Sequence, residues 1–172
     1  FVHRRTEGHP LFMVQVTDYL AQQDVAQALP QEVRQNVPGG LQQLIEVQLE
    51  RSGEEERQVL AVASVVGAEF TVASVAAGLQ EKSETIEATC ERLARAGQFI
   101  EDRGGMTWPD GTGSERYGFR HALYQEVVYA RLPEARRIRL HKAIGERIED
   151  GYGEQASEVA AELAVHFERG RD

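Results

Sequence analysis

The chain has 172 residues, enough for one large domain or two small ones. Its 41% apolar and 27% charged residues place it among soluble globular proteins, and no window approaches the roughly 20 apolar residues needed to span a bilayer. Most of the net charge of −9 falls in residues 41–120, which carry −6 and should repel nucleic acid.

The chain opens Phe1-Val2-His3-Arg4-Arg5, with neither a start methionine nor a signal-peptide apolar run, and so reads as a piece of a longer protein. One cysteine, Cys90, excludes an internal disulfide, and a reducing, cytoplasmic setting is expected. Cys90 falls in helical register with Ile86 and Leu93, as a buried small apolar residue would.

In chain order, Thr6 to Phe12 is a loop that turns into a helix at Pro10, because the first turn tolerates a missing N–H. Leu11, Phe12, Val16, Tyr19 and Leu20 mark its apolar face. Pro30 and Pro38-Gly39-Gly40 punctuate a linker. Leu41, Leu44, Ile45 and Leu49 form the stripe of the next helix. Ser52-Gly53-Glu54-Glu55 reads as a capping box, opening a helix that Gly67 stops. Thr71 caps a short helix to Leu79, and Ser83 caps a third helix ending at Gly97. Phe99 and Ile100 begin a strand, Arg103 to Ser114 is a long loop, and Arg116 to Arg120 is the return strand. Gly111-Thr112-Gly113-Ser114 reads as a flexible tip. Three helices followed by a β-hairpin is the order of a winged helix.

The period changes at Tyr117 to Tyr129. Tyr117 and Phe119 alternate as in a strand, whereas Leu123, Tyr124, Val127 and Val128 fall at helical spacing. His121 therefore belongs at the first turn of a helix leaving a strand, where free N–H groups and the helix dipole favour an anion. The ordinary reading is a polar residue hydrogen-bonded at the joint. Pro133 opens a further helix, with Ile138, His141, Ile144, Gly145 and Ile148 inward and Gly151 at its end. A last helix runs from Gln155 to Arg169, with Val159, Ala160, Leu163, Ala164 and Phe167 on one side.

There is no G-x-x-x-x-G-K-[ST] loop, no G-x-S-x-G elbow and no zinc-ligand spacing among the histidines. The third helix of the winged-helix segment, residues 81–96, carries −1, the wrong sign for a groove-reading helix. One basic cluster, residues 131–142 at +4, reads as a solvated face or an intramolecular salt-bridge partner.

Four segments together resemble a known class: Arg5 to Phe12, Leu41 to Glu50, Tyr117 to Leu123 and Leu140 to Ile144. In their order and spacing they are similar to the C-terminal half of the bacterial signal-transduction ATPases with numerous domains, the STAND proteins. The likeness is greatest to the ATPase modules fused to nucleotide cyclases, protein kinases or transcription regulators. The resemblance implies a mostly α chain: a helical lid segment (1–37), a winged-helix domain with a small β-hairpin (38–120), and antiparallel helices beginning a helical-repeat arm (121–172). It implies that Gly8 and Pro10 border the adenine and that His121 contacts a phosphate. This chain has Arg-His-Ala where better-known eukaryotic relatives have Met-His-Asp. ATP or ADP is implied as ligand of the full-length parent and not of this segment alone. The implied partners are an upstream nucleotide-binding domain and a protein docked on the terminal helices, with no membrane and no nucleic acid. The segment would be a regulatory module rather than an enzyme. The competing readings are a DNA-binding winged-helix regulator and a helical protein-interaction scaffold.

Overall fold

The computed structural model describes residues 37–171. Gly8, Pro10 and the helix expected after them lie outside the described residues. The chain divides into two compact units, Phe1–Arg51 and Ser52–Asp172. The described part of the first is helix α1 (Val37–Arg51), which buries Leu44, Ile45 and Leu49 as the stripe requires. Pro38-Gly39-Gly40, expected as a linker, lies within the first turn of α1, where proline removes an N–H that has no intrahelical partner.

The second unit runs α2 (Glu54–Val66), β1 (Glu69–Thr71), α3 (Val72–Leu79), α4 (Ser83–Ala96), β2 (Ile100–Thr107), β3 (Gly113–Phe119), α5 (Ala122–Ala130), α6 (Glu134–Tyr152), a 3₁₀ segment (Gly153–Val159) and α7 (Ala160–Arg169). The described residues are mostly helical, with one small antiparallel sheet in the order β1-β3-β2. The strand β1 has no counterpart in the sequence reading. Its three residues are too few to display a period, and they become a strand only by pairing Glu69 to Thr71 with Gly118 to Arg116.

Helix starts shift by one residue from expectation. Gly53, not Ser52, caps α2, and it is Glu56, not Glu55, whose carboxylate accepts from the Gly53 N–H at 3.1 Å. Lys82, not Ser83, precedes α4. Thr71 caps α3 as expected, its hydroxyl oxygen accepting from the Ser74 N–H at 3.2 Å. Gly97 ends α4 with a left-handed φ of 66°, the conformation glycine adopts without strain.

The hairpin is longer, and its tip tighter, than the spacing suggested. A register shift between Asp102 and Gly105 forms a bulge, with Gly104 at a φ of 79°. The strands then pair as far as Thr107 and Gly113. The tip between them is fastened. The Trp108 N–H donates to the Thr112 carbonyl at 2.9 Å, and the Asp110 N–H donates to the Gly151 carbonyl at 3.0 Å. Arg147 donates to Asp110 at 3.1 Å and to the Thr112 hydroxyl at 2.9 Å, and its guanidinium lies 4.5 Å from the centre of the Trp108 ring. Ser114, expected in a flexible tip, accepts from the Ala73 N–H at 3.0 Å.

Phe70 packs on Phe119, and Phe99 meets Tyr124 edge-on with ring centres 5.4 Å apart, so the sheet is sealed against α5. The Gln125 amide reaches the Ser64 carbonyl of α2 at 3.1 Å. Cys90 is fully buried and burial pushes its thiol up to about 12, an inert core residue as expected. Glycine sets two close approaches. A Cβ at Gly78 of α3 would crowd Val62 of α2 and touch Leu140 and Ile144 of α6. A Cβ at Gly151 would overlap the six-membered ring of Trp108. Gly151 therefore does not end α6; the helix continues to Tyr152 and stops at Gly153, whose φ is 49°. The expected final helix likewise begins later, at Ala160, after the 3₁₀ segment. Its buried residues are Leu163 and His166, whereas Ala160 and Ala164, expected inward, are exposed.

Glycine to alanine inside an exposed helix normally stabilises by up to about 1 kcal/mol. At Gly151 the sign should reverse, because the added methyl meets an aromatic ring it cannot displace. Gly151→Ala should lower unfolding stability by about 1–3 kcal/mol in urea titration. The emission of Trp108, the sole tryptophan, should shift at the same time. An unchanged or raised urea midpoint would refute the close approach.

Candidate functional site

The sequence directs attention to the joint between β3 and α5. There β3 ends at Phe119, whose N–H donates to the Ala68 carbonyl, and the Arg120 N–H donates to the Phe99 carbonyl at 3.0 Å. These bonds hold the chain extended up to His121, the N-cap of α5, at φ −151° and ψ 144°. The ring Nδ1 of His121 accepts from the Leu123 N–H at 3.4 Å, and the side chain is exposed. An imidazole that accepts at Nδ1 carries its proton on Nε2 when neutral, so Nε2–H is left as an outward donor. Arg120 is also exposed, with its guanidinium donating to the Gly97 carbonyl. A capping histidine, an adjacent arginine and the positive end of a helix suit an anionic group chemically. The cap bond gives His121 a structural task as well.

A second cluster lies where α5, α6 and α7 meet. His141 and His166 are buried, at 1% and 2% exposure, and their Nδ1 atoms are 3.0 Å apart. The Tyr129 hydroxyl lies 3.1 Å from His141 Nε2. One consistent proton arrangement has Tyr129 donating to His141 Nε2, His141 donating from Nδ1 to His166 Nδ1, and His166 carrying its proton on Nε2. The pair must be neutral for that chain of bonds to exist. Burial holds both imidazoles down at about 4; His166 and then Arg169 and Arg137 add to the effect on His141, and Arg169 adds to that on His166. Gly145 allows the approach, since a side chain there would press on His166 and Phe167.

Of the residues singled out from sequence, Gly8 and Pro10 lie outside the described residues, and His121 sits at the helix start where the period change placed it. His141 was expected on the inner face of its helix and is there. His166 was missed because the stripe assigned to the last helix was rotated; Leu163, His166 and Gly170 follow a helical spacing that points to the true inner face. Among the described residues, the arginines and lysine of the basic cluster at 131–142 make one inter-element hydrogen bond, from Arg136 to the Gln58 side chain of α2.

No family model matches the chain. An uncharacterized protein of Rhizobium meliloti is similar to it, 26% identical over 168 residues. The alignment takes in 96% of this chain and 16% of that protein, so the chain spans about a sixth of the relative's length. No solved structure matches.

The histidine pair fixes a pH dependence. Both folded-state values are depressed below the ordinary 6.5, to about 4, so the unfolded chain binds more protons between those limits. The stability from the neutral pair is fully present above about pH 6.5 and should be lost progressively toward pH 4. Glu54 and Asp110 are also held low, by hydrogen bonds from Arg57 and from the Thr112 N–H respectively, but they act only below their ordinary 4.5 and 3.8. Urea midpoints should therefore fall between pH 6.5 and 4.5 in the wild type. In the double variant His141→Leu/His166→Leu that fall should disappear, and the profile should be flat or rise slightly as pH drops, because burial raises the Glu162 carboxyl and works in the opposite direction. Parallel profiles would show that the pair is not neutral and buried in the folded state.

Proposed function

We propose that this chain is the regulatory part of a STAND-type nucleotide-dependent signalling ATPase. In this reading an upstream domain of the parent protein holds ADP or ATP, and residues 1–37 form a helical lid. Residues 38–120 form a winged helix that closes over the nucleotide, and residues 121–172 begin a helical-repeat arm. The observation that supports the proposal is His121, exposed at the strand-to-helix joint with its Nδ1 accepting from the Leu123 N–H, which leaves Nε2 free to donate to a phosphate oxygen. Further support comes from the run helix, strand, helix, helix, hairpin with sheet order β1-β3-β2, the arrangement a winged helix would have. The four sequence segments that resemble the STAND class add to it.

Closure would be a matter of differential affinity. If His121 touches the nucleotide only in the closed state, ADP binds that state better, and the difference holds the switch. The segment itself has no phosphate-cradling loop or lysine, so its part is to bind and move rather than to catalyse.

The DNA-binding alternative needs free cations on α4. There Arg92 pairs with Glu55 at 3.1 Å and Arg95 with Glu91 at 3.4 Å, which weakens it. The scaffold alternative has no specific observation in its favour.

The discriminating variant is His121→Asn in the parent protein. Asparagine is a good N-cap, so the helix start survives while the Nε2 donor is lost. Loss of one charge-assisted hydrogen bond of about 1.5–3 kcal/mol should speed ADP release roughly tenfold to hundredfold, with little change in melting temperature. An unchanged off-rate would end the phosphate-contact reading. The isolated 172-residue chain should show no micromolar affinity for ATP or ADP by calorimetry.

A further inference from the structure

We propose that Arg137 and Arg169, set around Tyr129 where α5, α6 and α7 meet, form a binding site for a compact phosphate dianion, independent of any nucleotide held by the parent protein. The two guanidiniums lie 5.1 Å and 6.0 Å from the centre of the same tyrosine ring. That ring is fixed in place, because its hydroxyl is tied to His141 and through it to His166. Gly170 lies against the backbone of Lys142, which brings the end of α7, and Arg169 with it, onto α6.

What sets the pair apart is the lack of any acceptor. Neither guanidinium has a hydrogen bond or an ion pair among the described residues, and Arg137 Nε is buried with no acceptor at all. Elsewhere the half-buried arginines have at least one acceptor for their terminal nitrogens, Arg116 included, although its Nε is likewise buried and unmatched. Arg57 has Glu54 at 2.6 Å, and Arg147 has Asp110 and Thr112. The buried Nε is closed to an outside ion, but the terminal nitrogens of both guanidiniums have no acceptor either and are not buried, so they are the donors an anion from outside would meet. Glu134 and Glu168 are near in sequence, but both are exposed and neither bonds these guanidiniums. The histidines beneath are neutral and offer no countercharge. Arg137 also lies in the opening turn of α6, whose dipole adds positive potential there.

Two features favour a compact dianion over an extended polyanion. The guanidinium fork matches phosphate oxygens, and two cations are balanced by one doubly charged group. The chain carries −9 overall, so a duplex or an anionic membrane surface would meet repulsion beyond the patch. At physiological ionic strength, screening over about 8 Å hides that distant charge from a small ion held by the arginines.

The test is a titration of the full 172-residue chain with inorganic phosphate against chloride at matched ionic strength, followed by the arginine Nε–H resonances in NMR. Saturable movement of the Arg137 and Arg169 signals is expected, with a phosphate-specific rise in melting temperature. Arg169→Gln should weaken phosphate binding by at least about tenfold. Arg169 is exposed, so this variant carries the test even if Arg137→Gln does not fold. Arg137→Lys should recover only part of the affinity, because charge without the fork is insufficient. Several outcomes would overturn the proposal: signals that do not move, an equal response to chloride, or affinity unchanged in Arg169→Gln. Acetate binding as tightly as phosphate would mean a carboxylate site. Tighter binding of duplex DNA, or of phosphatidylserine–phosphatidylcholine vesicles, at the same salt would mean a polyanion surface.

Discussion

The close approach of α6 to its neighbours is the constraint on which the second unit depends. Leu140 and Ile144 reach α3 because position 78 has no side chain, and Trp108 reaches the far end of α6 because position 151 has none. His166 reaches the middle of α6 past Gly145. A packed interior has no room to absorb a methyl at such points. One helix thus joins α3, the hairpin tip and α7, and the carbonyl of Gly151 and the guanidinium of Arg147 fasten the tip directly.

Polar groups are distributed in two distinct ways around this helix. Most of the ion pairs, such as Arg92 with Glu55 and Arg103 with Glu101, lie on exposed surface and contribute little to stability. The hydrogen bonds that matter more are the few withdrawn from water. The Tyr129–His141–His166 chain is one, and the part-buried bond from Arg147 to the Thr112 hydroxyl is another. Withdrawn groups are favourable only while every partner is present, which makes their surroundings sensitive to protons and to anions. Arg137, with its buried and unmatched Nε, is the exception at the edge of that network.

The joint at His121 shows how one residue can serve fold and ligand together. Its Nδ1 replaces a missing helical carbonyl, while Nε2 stays in solvent. A cap of this kind orients the ring without consuming both nitrogens. That leaves an ordered donor at the positive end of α5, beside Arg120.

Local chemistry was readable in advance wherever the cause is local. The stripe of Tyr124, Val127 and Val128, the stop at Gly97, the cap at Thr71 and the helix start at His121 follow from helical period, left-handed glycine and side-chain oxygens or nitrogens within three residues. Features that depend on distant partners were not readable. The strand at Glu69–Thr71 exists because Arg116 to Gly118 lies beside it, and the hairpin tip is ordered because Arg147 and Gly151 hold it. Gly151 looks like a helix stop in sequence, and only the position of Trp108 reveals it as a contact surface. His141 and His166 are 25 residues apart on different helices. Their types and spacing carry no sign of pairing, because what joins and neutralises them is the low-dielectric space that forms when α6 and α7 close on each other.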